Sequence, residues 1–466
     1  MTNTAEVTDT NTDAGAPWTS DAWRTRPVAQ AVDWPDEAQA QRALEQLRKL
    51  PPLIFAGEAR ALQSQLADVT RGAAFVLLAG DCAESFDEVS ADRIRDQLKI
   101  ILQMSLVLTH GAGLPVVKIG RMAGQLAKPR SAPTEIVNGV ELQSLRGHLL
   151  NAENEDPDSR RLDPRRLVQG YHHSAIVLNL VRAFTSGGFA DLREVHRWNQ
   201  SFIAESPSGQ RYEMLAAEID RAVEFLHACG VRDDNDELSR TAFYTAHEAL
   251  VLDYESGLTR REAATGEWYD CSAHLLWIGE RTRALDGAHM DFVRGIRNPI
   301  GVKISDDCSP EELLQICTML NPERIPGRLT LMIRMGARVI DRALPALVQA
   351  VVDAGHPVAW VSDPMHGNTR TTASGVKTRS FEDVSSEFLS FVRIVSEAGA
   401  WPGGIHLELT PDDVTECTGG SWLLDEDELG RNYTSLCDPR LNGRQGLDLA
   451  FLAAEALRDA RTRLAR

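Results

Sequence analysis

The feature that most constrains this chain is an alternation. From Phe75 onward, short apolar or β-branched runs recur, each followed by a polar or glycine-bearing turn and most of them separated by segments of helical period. The runs are Ala74 to Leu78, Pro115 to Ile119, Ala242 to Ala246, Ala273 to Ile278, Pro299 to Ile304, Leu329 to Ile333, Pro357 to Val361 and Gly404 to Leu409. Helical patterns are read over Arg93 to Leu108, Pro310 to Leu320, Ile340 to Ala354 and Phe381 to Ala398. Parallel strands need a crossover that antiparallel strands do not, so strand and helix in alternation imply a parallel sheet. Eight such runs predict a closed (β/α)8 barrel of the α/β class rather than an open sheet.

The remaining segments are placed around that frame. Residues 1–17, rich in Thr, Asp, Asn and Ala, read as a disordered tail without the basic and apolar regions of a signal peptide. Residues 18–72 form an N-terminal arm with an amphipathic stretch, Asp36 to Leu50, expected to pack on its own barrel or on another subunit. The catalytic barrel is assigned to 73–466. The gap between its second and third strands is too long for one crossover, so about 132–240 is read as a helical insertion that includes a helix at Tyr212 to Leu226. Such an insertion suits an effector site or a subunit contact, and equally a decorative helical pair.

Charge and cysteine usage narrow the function. A formal net charge of −18 opposes general affinity for nucleic acid or an anionic membrane. It leaves open a locally basic pocket for anionic small molecules. No stretch approaches the roughly 20 apolar residues of a membrane span. The seven cysteines are scattered, with no CxxC pair, which predicts reduced thiols in a cytoplasmic protein.

Active sites of barrels of this kind lie at the carboxyl ends of the strands, and there this sequence is unusually polar. The strand ends carry Asp81-Cys82-Ala83-Glu84-Ser85, Arg121, His247-Glu248, Glu280-Arg281, Lys303, Arg334, Asp363-Pro364-Met365-His366, and His406 to Glu408. Cys82, His366 and Glu408 combine a thiolate, an imidazole and a carboxylate, a mixed set that suits a divalent transition metal. Singly, Cys82 also reads as a buried filler and His366 as a satisfied loop histidine; together at strand ends the metal reading is preferred. A second set, Arg121, Lys128, Arg130, Arg281, Lys303 and Arg334, is cationic and points to phosphorylated substrates. Its alternative is ordinary ion pairing with Glu248, Glu280 and Asp363. Without more, the reading is a metal-dependent barrel acting on phosphorylated compounds, with a phosphosugar aldolase as the runner-up.

Longer motifs add a resemblance. Phe55-Ala56-Gly57-Glu58, Gly80-Asp81-Cys82-Ala83-Glu84-Ser85, the run from Gly120 through Lys128-Pro129-Arg130-Ser131, and Trp268-Tyr269-Asp270-Cys271-Ser272-Ala273-His274 are four of them. Gly279 to His289, Val361 to Thr369, Gly404 to Thr410 and Cys437-Asp438-Pro439-Arg440-Leu441-Asn442 complete the set. Over nearly the whole chain, from about Trp23, it resembles the type II 3-deoxy-D-arabino-heptulosonate 7-phosphate (DAHP) synthases. The resemblance implies the condensation of phosphoenolpyruvate with erythrose 4-phosphate, the first step of the shikimate pathway, with one divalent metal. The metal is manganese or cobalt by that likeness, with zinc or cadmium as further candidates. By motif match its ligands are Cys82, His366, Glu408 and Asp438, of which Asp438 comes from the resemblance alone. Phosphoenolpyruvate falls to Arg121, Glu280, Arg281, Lys303 and Arg334, and erythrose 4-phosphate to Lys128, Arg130 and Ser131. Lys303 is the first candidate for proton transfer, followed by His366 and Glu248. Cys437 is expected to approach Cys82, and metal-free enzyme to be open to a disulfide there. The resemblance further implies a homodimer or homotetramer and, in some relatives, a bound chorismate mutase.

The sequence departs from the family pattern at Ala59, at Ala249 and across Leu142 to His148, none of them a proposed ligand. These departures point to a divergent member, one dedicated to specialised metabolism among the options. They leave two alternatives: an enzyme using an amino or imino analogue of the sugar phosphate, and a non-catalytic regulatory paralogue.

Overall fold

The computed structural model describes residues 17–187 and 241–465, with 189–190, 195–199 and isolated positions between 213 and 225. The tail expected at the N-terminus and nearly all of the helix expected at Tyr212 to Leu226 lie outside the described residues.

Eight parallel strands close into a barrel, each bonded to its neighbours in chain order: β1 Phe75–Gly80, β2 Val116–Arg121, β3 Tyr244–Glu248, β4 Leu275–Ile278, β5 Ile300–Ile304, β6 Leu329–Ile333, β7 Val358–Ser362 and β8 Gly404–Glu408. The α/β barrel expected from the alternation is the observed fold. The strand limits differ from expectation at both ends for physical reasons. Strands expected to begin at Pro115, Pro299 and Pro357 begin one residue later, because proline has no N–H for the ladder. Its carbonyl still serves: Phe75 N–H donates to Pro115 O at 3.0 Å. At the carboxyl ends β1, β2, β3 and β7 run on to Gly80, Arg121, Glu248 and Ser362. The residues added there are small or polar, so apolar patterning stops before the strand does.

Helices α1 Glu37–Lys49, α2 Ala56–Thr70, α3 Ala91–Ala112, α4 Arg165–Ser186, α5 Leu252–Leu258, α6 Ala288–Gly295, α7 Pro310–Leu320, α8 Ile340–Asp353, α9 Phe381–Glu397 and α10 Gly443–Leu464 surround the strands. Helix α3 outruns the expected Arg93 to Leu108. The Ser90 side chain accepts from Arg93 N–H at its start, and Gly113 ends it at φ 65°, a left-handed position that favours glycine. Between β2 and β3 the described part of the insertion is a hairpin, Thr134–Val137 with Val140–Gln143, and then α4. Asn138 and Gly139, at φ 51° and 80°, form the two-residue turn that matches strand twist. The N-terminal arm packs on its own barrel. Trp18 sits between Trp268 and Phe292 with ring centroids 5.9 and 6.0 Å away, and α1 buries Ala43, Leu44 and Leu47.

Glu58, in the first turn of α2, ties the arm to both barrel and insertion. Its carboxylate accepts from Phe55 N–H at 2.9 Å and from Arg182 of α4 at 2.9 Å, and lies 3.7 Å from His274 Nε2. Burial alone would raise its pKa; the bonds to His274 and Phe55 outweigh that and bring it to about 2 from an ordinary 4.5. A carboxyl with a depressed folded value contributes stability above about pH 4.5 that is lost as pH falls toward 2. Glu58→Gln is therefore expected to unfold at lower urea than wild type at pH 7. The gap should narrow between about pH 5 and pH 3 in a series of urea titrations; a gap independent of pH would contradict the assignment.

Candidate active site

The barrel register brings the polar strand ends to one level: Gly80 pairs with Arg121 on one side and with Glu408 on the other. Arg121 is held on every nitrogen. Nε donates to Asp81 O at 2.6 Å, Nη2 to Cys82 O at 2.8 Å and to Glu408 Oε1 at 2.9 Å, and Nη1 meets His406 Nε2 at 3.0 Å. Arginine only donates, so His406 Nε2 accepts in this contact; Nδ1 is the other ring nitrogen. That nitrogen lies 2.8 Å from Lys303 Nζ, which also donates to Asp363. Nζ thus sits between an imidazole nitrogen and a buried carboxylate. Burial, the largest influence, brings the Lys303 ammonium down to about 8 against the opposing pull of Asp363.

His366, Glu408 and Asp438 each place a ligand atom within 4.8 Å of the others. Asp363 accepts from His366 Nδ1 at 2.8 Å, which leaves Nε2 aimed at Glu408 Oε1, 3.1 Å away. Two lone-pair atoms facing each other need a cation or a proton between them, and a carboxylate behind the imidazole is a common support for a metal-binding histidine. The donor set therefore fits a divalent metal. Cys82 is not part of that trio. Its sulfur lies 3.1 Å from Ser435 Oγ and in hydrogen-bond contact with Cys437, which holds the Cys82 thiol below its ordinary value despite burial. The two cysteines are thus close, and both thiols are free. Lys128 Nζ lies 2.8 Å from both Glu408 Oε1 and Asp438 Oδ2. The Lys128 charge is the main cause that holds Asp438 well below the usual carboxylate range.

One cavity gathers most of the remaining candidates. Arg121, Lys128, Glu248, Glu280, Arg281, Lys303, Arg334, His366 and Asp438 line it, together with Pro129, Trp277 and Gly279. Burial raises the Glu248 carboxyl, with Arg121, Lys128 and Lys303 opposing, and among the described residues its Oε1 has no hydrogen-bond partner. Gly279 permits that placement, since a Cβ there would stand 2.2 Å from Glu248 Oε1. Glu280 Oε1 accepts from Arg283 Nε at 2.8 Å, while Oε2 has no hydrogen-bond partner among the described residues. Arg334 donates to His366 O at 3.2 Å. Arg130 and Ser131 sit outside the lining: Arg130 pairs with Glu135 of the hairpin, and Ser131 Oγ accepts from Arg281 Nη2 at 2.9 Å. Glu408 and Cys82 lie beneath the cavity, fully buried.

Three participants escaped the sequence reading. Arg379, fully buried before α9, donates to Glu408 Oε2 at 2.7 Å. Trp277 lies under two cations, with Arg121 5.3 Å and Lys303 5.7 Å from its ring centroid. Arg440 links Asp81 and Glu416 at 2.6 and 2.8 Å beside the Asp438 loop. Arg440 stands two residues after Asp438 within its motif, so proximity in sequence could have flagged it; Arg379 carries no such signal.

Comparison with known proteins agrees with the geometry. The family described as the class-II DAHP synthetase family matches residues 18–454. The phospho-2-dehydro-3-deoxyheptonate aldolase of Streptomyces coelicolor is 53% identical over 444 residues, covering 95% of this chain and 98% of that protein. The protein of the same name from Neurospora crassa is 45% identical over 460 residues, 95% of each chain. The chain belongs to the class-II DAHP synthetase family.

Proposed function

We infer that this strand-end cavity carries out the family's reaction, the condensation of phosphoenolpyruvate with erythrose 4-phosphate to DAHP and phosphate at the head of the shikimate pathway. The observation that carries the reading is the cavity itself: five cationic side chains converge on one space floored by an imidazole and carboxylates. Phosphoenolpyruvate is assigned to Arg121, Glu280, Arg281, Lys303 and Arg334, and the sugar phosphate to Lys128, with Arg130 and Ser131 at its phosphate. His366, Glu408 and Asp438, with Cys82 beside them, would hold the divalent metal, manganese or cobalt by preference. When bound, such a metal supplies Lewis acidity toward the aldehyde oxygen.

The chain's own residues do the rest. Two anionic substrates repel each other in water, and the convergent guanidinium and ammonium groups offset that repulsion while fixing their mutual orientation. The methylene carbon of phosphoenolpyruvate bonds to the aldehyde carbon, and the aldehyde oxygen takes a proton. Water adds at the adjoining cationic carbon, loses a proton, and phosphate leaves with its bridging oxygen. Lys303, poised between Asp363 and His406, is the proton carrier. Glu248, whose carboxyl lines the cavity, is the second candidate for proton transfer, and His366 is third because its Nε2 is turned toward Glu408 and Asp438. The reading extends to a cytoplasmic homo-oligomer; the exposed Ile136, Val140 and Ile176 of the insertion support a subunit contact.

The test is consumption of phosphoenolpyruvate by metal-loaded protein with erythrose 4-phosphate as acceptor, and product analysis with an amino analogue beside it. Turnover with the sugar phosphate is expected. Lys303→Ala should lower kcat by about 10²–10⁴-fold, the range for a proton-transfer group. Near-normal turnover in that variant would remove Lys303 from the role.

A further inference from the structure

We propose that Gln30, in the N-terminal arm, is a positioning residue for the sugar-phosphate substrate, acting through the backbone of Arg130. The inference rests on the assignment of Arg130 and Ser131 to that substrate's phosphate. Gln30 spends both ends of its side-chain amide on one distant residue. Oε1 accepts from Arg130 N–H at 2.9 Å, and Nε2 donates to Arg130 O at 3.1 Å. Among the described residues these are the only hydrogen bonds to the Arg130 backbone. The Arg130 guanidinium is engaged elsewhere, with Glu135.

The arm is held in place for this purpose by a second clamp. Gln30 sits at φ 57°, a left-handed conformation uncommon for a residue with a side chain and retained only where surroundings enforce it. Arg146 enforces it, donating to Gln30 O at 2.5 Å and Ala31 O at 2.9 Å. The carbonyl of the same Arg146 accepts from Lys128 N–H at 2.9 Å. The segment from Lys128 to Ser131 is therefore pinned at Lys128 by Arg146 and at Arg130 by Gln30, and Arg146 joins the two pins. Neither Gln30 nor Arg146 lines the active-site cavity. Phosphoenolpyruvate is assigned chiefly to residues at the ends of β2, β4, β5 and β6, of which Arg281 touches the clamped segment, through Ser131 Oγ at 2.9 Å.

Loosening a loop that presents a phosphate-binding residue weakens the ground-state hold on that substrate, and misplacement by about 1 Å can cost on the order of 10²-fold. The experiment compares full-length, metal-loaded wild type with Gln30→Met, which keeps side-chain bulk and loses both hydrogen bonds. The expected result is a rise of about tenfold in KM for erythrose 4-phosphate with KM for phosphoenolpyruvate changed less than about twofold. Hydrogen exchange of the peptide containing 128–131 should also quicken. Unchanged KM for the sugar phosphate, equal rises for both substrates, or unaltered exchange would each overturn the clamp. Arg130→Ala separates the two levels of the argument. If it leaves that KM unchanged, the phosphate assignment and the clamp fall together; if it raises KM and Gln30→Met does not, only the clamp falls.

Discussion

Asp438→Asn is expected to lower turnover about 10³-fold with the fold intact, and a chelator is expected to do the same to wild type reversibly. Asparagine keeps the shape of the side chain and removes its charge. Asp438 is on a loop and partly exposed, held by Lys128 at 2.8 Å and by Lys377 at 3.5 Å, so the barrel does not depend on it. What it completes is the trio with His366 Nε2 and Glu408. A metal acting as Lewis acid is worth several kcal/mol at the transition state, and each 1.4 kcal/mol is about a factor of ten in rate. The measurements are kcat across a metal titration and bound metal per chain by elemental analysis. Full turnover of wild type in excess chelator, with no metal detectable, would remove the metal from the mechanism.

The second large effect belongs to Arg379. Its guanidinium is fully buried, with Nη1 on Glu408 Oε2 at 2.7 Å and on Pro439 O, and Nε on Thr369 Oγ1 at 2.9 Å. Glu408 is also fully buried, and burial would push its carboxyl up; His366, Lys128, Arg379 and Arg121 together hold it well below the usual range. Arg379→Met leaves Glu408 Oε2 and Pro439 O without their donor in a dry interior. Removing one partner of a buried pair costs about 3–5 kcal/mol, so the urea midpoint should fall clearly. Loss of a group that orients a metal ligand should also weaken metal affinity by about 10–100-fold. Arg379→Lys keeps a charge but not the fork that reaches Glu408, Pro439 and Thr369 together, and should fall between. A methionine variant with wild-type midpoint and metal affinity would show that Arg379 is dispensable.

Most of what the site contains was readable because it obeys local rules. Polar residues that close each apolar run, within the last residues of a strand or just after it, pick out Arg121, Lys303, Arg334 and Glu408. Asp438 follows no strand, and only its motif marked it. Cys82 was grouped with His366 and Glu408 by residue type and by motif; that its sulfur also meets Ser435 and Cys437 is visible only in the fold. His406 was visible as a strand-end residue, but its contacts with Arg121 at one ring nitrogen and Lys303 at the other arise only when the barrel closes. Arg379 was missed because a buried arginine reads in the sequence like any surface arginine until its partners are known.

By itself, then, the amino-acid sequence determined the eight strands, their parallel pairing, the end of the barrel that carries chemistry and the residue types gathered there. These depend on periodicity and on chain connectivity, which are properties of neighbours along the chain. Tertiary structure alone decided which carboxylate meets which cation, which side chains face the ring nitrogens of His366 and His406, and that an arm residue reaches Arg130 across 100 positions. Those are distances between segments remote in sequence, and they are set by barrel closure and by how the arm packs against it.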